Sequence, residues 1–276
     1  MTMSAQVEKN IIYRVAAGNI TYTEPVKEKE SVGKVVGTIL TAVAGSNTQN
    51  HPEFAEQVRA AIVGGIGGGR RLRVIDGQFQ PGEVGDDEEA FYIDGNISSI
   101  TTTSQTSIHT DSKGHKHSSI EYRGNITATV NIKKVNTDEI LSTFDLNTGE
   151  YSLSWIESPQ KALGKAVKRM SEKLTNAVNM MFPLYASIIE GSTTKKDKQK
   201  EVYIDLGTRY GAYKGMTFHV YSVKVVAGHE AKKEIGRLKI SEVEGEDISL
   251  CKVTRGGADI KECIDKGVRL LIMSRD

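Results

Sequence analysis

Three histidines, His109, His115 and His117, crowd one polar run, TTTSQTSIHTDSKGHKHSS. Neutral imidazoles so close together can hold zinc or nickel, and His115 and His117 would share one face of a strand. Only Asp111 stands beside them as a further ligand type, so a solvated loop tip is the plainer reading. These three residues are the candidate metal ligands, and no cofactor is expected.

The other patterns with chemical meaning fail on context. Gly64-Gly65-Ile66-Gly67-Gly68-Gly69 followed by Arg70 and Arg71 suggests a phosphate cradle. Such cradles lie between a strand and the start of a helix, where backbone N–H groups point outward. Here the glycines follow a helical pattern and precede a strand, which makes them a helix-ending loop. No serine sits in Gly-x-Ser-x-Gly, and Asp86-Asp87-Glu88-Glu89 reads as a solvated charge run rather than an acid–base pair. The lysines between 195 and 200 lack aromatic partners for base stacking, so nucleic acid is not expected as a partner. Trp155 reads as core. Cys251 and Cys263 lack metal-ligand spacing and read as free thiols, with a disulfide left open. No catalytic constellation emerges, and the chain is read as a non-enzyme.

The elements that must position these residues follow from periodicity. Along residues 118–146, Ile126, Ala128, Val130 and Ile132 alternate with Thr127, Thr129, Asn131 and Lys133. That period of two marks a half-buried strand; Asn136-Thr137-Asp138 is a turn, and a second strand follows. Residues 11–22, 70–76 and 90–100 read as further strands, and 100–120 as a projecting hairpin or loop. Residues 24–34 read as a loop, 31–44 as a short amphipathic helix with a strand as competitor, and 45–51 as a polar loop. Pro52 opens a helix whose inner face is Phe54, Val58, Ala61 and Ile62, ending at Gly64. Ser158-Pro159 starts a long helix with Leu163, Ala166, Met170, Leu174 and Val178 on one face. Phe182-Pro183 ends it.

Lys and Arg number 36 against 35 Asp and Glu, so no strong pull toward nucleic acid or anionic membrane is expected. The longest apolar run, residues 35–44, is about half of what a membrane-spanning helix needs. The N-terminal residues show neither a basic stretch nor an apolar run of a signal peptide, so a cytoplasmic location follows if that start is native.

The order of a helix, Val74-Ile75-Asp76, Asp94-Gly95-Asn96-Ile97, a meander through Asn136-Thr137-Asp138-Glu139-Ile140 and a closing helix resembles the CsgG family of curli secretion. Asp138 stands where that family has glycine. Farther on, Leu206-Gly207, Gly211, Gly215-Met216, Phe218 and Ile235-Gly236 resemble the C-terminal domain of FlgT-like flagellar basal-body proteins. The resemblances imply a periplasmic or outer-membrane-associated protein, without catalysis, working by self-association or docking in a larger apparatus. In CsgG, hairpins from each subunit jointly form a barrel through the outer membrane. Residues 97–122 occupy a similar place but alternate Thr/Ser against Thr/Ser, whereas a lipid-facing strand needs an apolar row.

The expected architecture is α+β. A CsgG-like mixed sheet with packed helices spans 11–190, a linker 191–200, and a small SH3-like antiparallel barrel 201–276. The expected function is a non-enzymatic cell-envelope scaffold with protein partners, homo-oligomeric or docked to envelope machinery. The alternative is a ligand- or metal-binding module that uses the histidine hairpin.

Overall fold

A computed structural model describes residues 10–23, 47–80, 82–85, 88–110, 112–150 and 154–275. The apolar segment at 31–44, Asp86, Asp87 and Asp111 lie outside the described residues.

The chain divides into two compact units. In the first, Tyr13–Gly68 with Leu72–Thr175, the alternating residues form one mixed sheet. Its strands are β1 (Tyr13–Tyr22), β2 (Asn47–Asn50), β3 (Leu72–Ile75), β4 (Ala90–Thr110), β5 (Lys116–Lys134) and β6 (Ile140–Asn147). Their order is β3-β1-β4-β5-β6, with β2 alongside β4. β1 runs parallel to β3 and β4, and the β4–β5–β6 meander is antiparallel. Residues 45–51 are therefore not all loop: Asn47–Asn50 pairs with Thr101–Ser104 of β4. Side chains too polar for a core still complete a strand ladder, because pairing is made by backbone groups.

Two helices cover one face, α1 (Ala55–Gly67) and α2 (Pro159–Met181). Val58, Ile62 and Ile66 of α1, with Leu163, Ala166, Met170 and Leu174 of α2, are fully buried. So are Ile93, Ile97 and Ile100 of β4 and Ile126, Val130 and Ile132 of β5. Ile97 and Ile100 differ by three, so strict alternation would place them on opposite faces. A bulge at Ser98 between Ile97 and Ser99 restores the face, and β4 then presents Ile100 and Thr102 inward. The start of α2 lies on β5 at Gly124, where a Cβ would come 2.6 Å from Ala162 O. The N-cap of α2 is as the sequence suggests: Ser158 Oγ accepts from Lys161 N–H at 3.4 Å.

α1 does not stop at Gly64 but continues to Gly67. A glycine run weakens a helix by propensity alone, yet here close packing against α2 outweighs that cost.

The second unit takes the chain up to Ile12, Gly69–Arg71, and everything from Asn176. Its strands are β7 (Tyr185–Ala186), β8 (Ile188–Lys195), β9 (Lys198–Ile204), β10 (Thr217–Val226), β11 (His229–Val243), β12 (Ser249–Arg255) and β13 (Leu270–Ser274). They form a curled antiparallel half-barrel in the order β7-β13-β10-β11-β12-β9-β8. Its core gathers Val202, Ile204, Phe218, Val220, Leu238, Ile240, Cys251 and Ile272. A helix that the strand-rich texture conceals, α3 (Gly257–Asp265), adds Ile260 to that core.

Residues 191–200, read as a linker, are folded. They belong to the β8–β9 hairpin, with Lys195 opposite Lys198. The two residues between them, Lys196 and Asp197, both take positive φ, 50° and 55°. That is the backbone of a two-residue hairpin turn, which usually announces itself by Asn-Gly or Asp-Gly. Lys-Asp carries no such signal, and a run of lysines has the composition of a solvated spacer. The α+β class holds for both units.

Candidate functional site

The histidine hairpin is built by pairing alone. β4 and β5 pair without interruption from Ser99↔Thr127 to Thr110↔Lys116, placing His109 directly opposite His117. Opposed residues in a ladder stand with Cβ atoms about 5 Å apart. His115 lies in the turn before β5. Among the described residues no group of three metal-ligating side chains comes together.

The hairpin's inward face is continuous with the core. Ile100, Thr102, Ser104, Thr106 and Ile108 share it with Ile126, Gly124, Tyr122, Ile120 and Ser118. Near the body these positions are buried; toward the tip Ile108 is 67% exposed and Ile120 56%. Among the described residues, β2 pairs with β4 as far as Ser104, and the bridge from Ile156 falls at Tyr122. Past those points, among the described residues, the hairpin is a two-stranded ribbon with its apolar side uncovered.

At the base of that ribbon Trp155 is half-buried, and the Arg123 guanidinium lies over its ring at 4.4 Å from the centre. Arg123 Nε is buried without a hydrogen-bond partner, and the indole face supplies its favourable contact instead. Trp155 is thus a stacking partner at the rim rather than core.

The second unit carries a cleft of about 840 Å³ between the two ends of its curled sheet. Residues Tyr185 to Glu190 line one side and Gly267 to Leu271 the other, with Ile11, Asp205, Tyr210 and Ile264 closing it. Asn10 fixes one lip: its side-chain amide donates to Tyr185 O at 2.8 Å and accepts from Tyr185 N–H at 2.7 Å. Asp205 holds the same lip two residues on, accepting from Ser187 N–H. Arg269, at the rim, pairs with Glu230. Sequence reasoning passes over every one of these residues, because they are scattered along the chain and none belongs to a motif.

His219, also unremarked in the sequence, is buried on β10 with Nε2 3.0 Å from Arg275 Nη1 and Nδ1 3.0 Å from Glu234 Oε2. An arginine at Nε2 can only donate, so Nε2 accepts; Nδ1 lies near the Glu234 carboxylate but makes no well-aligned hydrogen bond. The His219 contact, followed by that of Arg237, holds the Glu234 carboxyl below its ordinary value. This polar cluster links β10, β11 and Arg275, the residue after β13.

Both cysteines are free thiols. Burial pushes the Cys251 thiol up to about 12, which removes it as a nucleophile. Burial first, then Glu262 and Asp259, also raises Cys263.

No family model matches the chain, and no curated protein matches it. Among solved structures it is similar to a protein described as a neuraminyllactose-binding hemagglutinin homolog from Helicobacter pylori. The two are 12% identical, the alignment covers 64% of this chain and 87% of that one, and the TM-score is 0.28. A likeness at that level carries no functional argument. No helix among the described residues is long and apolar enough to cross a membrane.

Proposed function

We propose that this protein is a non-enzymatic scaffold of a bacterial cell envelope, periplasmic or outer-membrane-associated, that works by associating with further copies of itself or with envelope machinery. On this reading the first unit is a CsgG-like domain and the curled sheet is an SH3-like, FlgT-like module. The observation that carries it is the β4–β5 ribbon. A two-stranded ribbon is marginal in water by itself, and a side that no described residue covers invites a partner. Ile108 and Ile120, the outward continuation of the core face, supply that side. Nucleic acid has no place in this reading.

The test is association by sedimentation velocity over a wide concentration range, for wild type and for Ile108→Lys with Ile120→Lys. Wild type is expected to assemble and the double variant to remain monomeric with unchanged far-ultraviolet circular dichroism. A wild-type protein that stays monomeric at high concentration, and does not fractionate with the envelope in its native cell, overturns the reading.

A second reading rests on the His109–His117 register. His109 and His117 stand opposite one another in the backbone register and, with His115 close by in sequence, are the candidate ligands for zinc or nickel. Calorimetric titration of zinc into wild type and into His115→Ala with His117→Ala separates the two, since scaffolding requires no metal. Equal heats for both proteins dismiss this alternative.

A further inference from the structure

Among the described residues, the half-barrel of the second unit has an unfilled place in its strand order. β7 is only two residues long, Tyr185–Ala186, and pairs with Ile272 and Met273 at one end of β13. β13 itself runs from Leu270 to Ser274 and pairs with β10 along its whole length on the other side. After Ala186 the chain leaves that line at Ser187 and crosses to β8, which pairs with β9 at the opposite end of the sheet. The cleft of about 840 Å³ lies where β7 would have continued.

The ladder's alternation decides what faces the cleft. Arg269 O accepts from Val223 on the β10 side, and Ser274 N–H donates to Leu184 O on the β7 side. Residues of even number therefore turn their backbone groups toward β7, and Leu270 turns its N–H and C=O into the place where β7 has ended. Among the side chains around that place are the apolar or aromatic Tyr185, Ile188, Ile264 and Leu270. Ile189 joins them at a bulge in β8, 54% exposed. Two carboxylates, Glu190 and Asp205, stand among them, while the cationic Arg269 at the rim has its charge matched by Glu230.

The geometry points to a docking site for an extended, basic-and-apolar peptide segment of a partner protein. The segment lies antiparallel to β13 in line with β7 and pairs with the Leu270 backbone. Its apolar side chains enter the cleft between Ile188 and Leu270, and a Lys or Arg meets Glu190 and Asp205. The chemistry is strand addition, in which backbone pairing supplies register and alternate side chains supply selectivity. The volume suits it, since pockets of roughly 300–1,000 Å³ enclose ligands of a few side chains. Charge sets the sign of the ligand: an acidic strand would bring like charges together. This site is independent of the ribbon and of self-association.

Fluorescence anisotropy of the full chain with a fluorescein-labelled Val-Lys-Val-Lys-Val-Lys peptide tests it. The same measurement uses Val-Glu-Val-Glu-Val-Glu and a version of the lysine peptide N-methylated at alternate residues. The lysine peptide is expected to bind, with at least tenfold weaker binding for each control peptide and for the Glu190→Lys variant. Ile108→Lys with Ile120→Lys, which addresses self-association, is expected to leave the peptide affinity unchanged. Equal binding of the lysine and glutamate peptides, of the methylated peptide, or of Glu190→Lys overturns the proposal, as does failure of the lysine peptide to bind at millimolar concentration.

Discussion

Thr175 donates its hydroxyl to Gly65 O at 2.7 Å, joining α2 to α1 across a contact that leaves no space for a side chain. A Cβ on Gly65 would come 2.9 Å from Ser171 O, and one on Gly68 would come 2.7 Å from Thr175 Oγ1. The glycine run that imitates a phosphate loop is a helix–helix packing surface. Its backbone carbonyl is engaged by a threonine, and the close approach brings both helices onto the sheet.

Two substitutions one residue apart separate these effects. Gly65→Ala forces a Cβ into backbone atoms and is expected to destabilise the protein by about 1–3 kcal/mol. A Cβ on Gly64 would meet nothing within 4 Å, so Gly64→Ala should stabilise by about 0.5–1 kcal/mol through helix propensity. Urea unfolding midpoints compare them, and the same sign for both would contradict the packing account.

Arg71 joins separate stretches of the second unit. It is buried, donates to Ile11 O at 3.0 Å and Pro183 O at 3.1 Å, and lies over the Tyr185 ring. Arg71→Met keeps the apolar stem but abandons both carbonyls, and should cost about 2–4 kcal/mol. A loss below about 0.5 kcal/mol in thermal unfolding would show those carbonyls rehydrated at no cost.

Acid should weaken the fold through two histidine-bound carboxylates. Glu53, 2.9 Å from His51 Nδ1, and Glu234, beside His219, are both held below the ordinary 4.5. A depressed value in the folded state means that folding releases protons. Their stabilisation is therefore complete above 4.5 and is lost as pH falls through the lower folded values. Glu53→Gln with Glu234→Gln should unfold at lower urea than wild type at neutral pH, and the difference should vanish once wild type is fully protonated, at about pH 2. A difference independent of pH would assign the effect to packing.

Thiol reactivity should divide the cysteines. Cys251 is fully buried with its thiol raised to about 12, whereas Cys263 is partly exposed. Ellman's reagent at pH 8 should modify Cys263 slowly in the native protein and both residues in denaturant. Rapid native modification of Cys251, followed by mass spectrometry of peptides, would mean that the core opens at β12.

Local pattern carried much of the fold into view. Alternation from Ile126 to Ile132, the helical stripe from Leu163 to Val178 and the cap at Ser158 are short-range properties that a chain displays in its order of residues. They determined the α+β class, the meander and α2. What lay between distant residues was decided by the tertiary structure. The bulge at Ser98 keeps Ile97 and Ile100 on one face, and the positive-φ turn at Lys196-Asp197 makes a hairpin of an apparent spacer. The helix contact at Gly65 and the cleft between β8 and β13 arise in the same way. Each depends on which backbone atoms meet across many residues of chain, and on the volume left between them. Neither quantity is written into the spacing of residue types along one strand or helix.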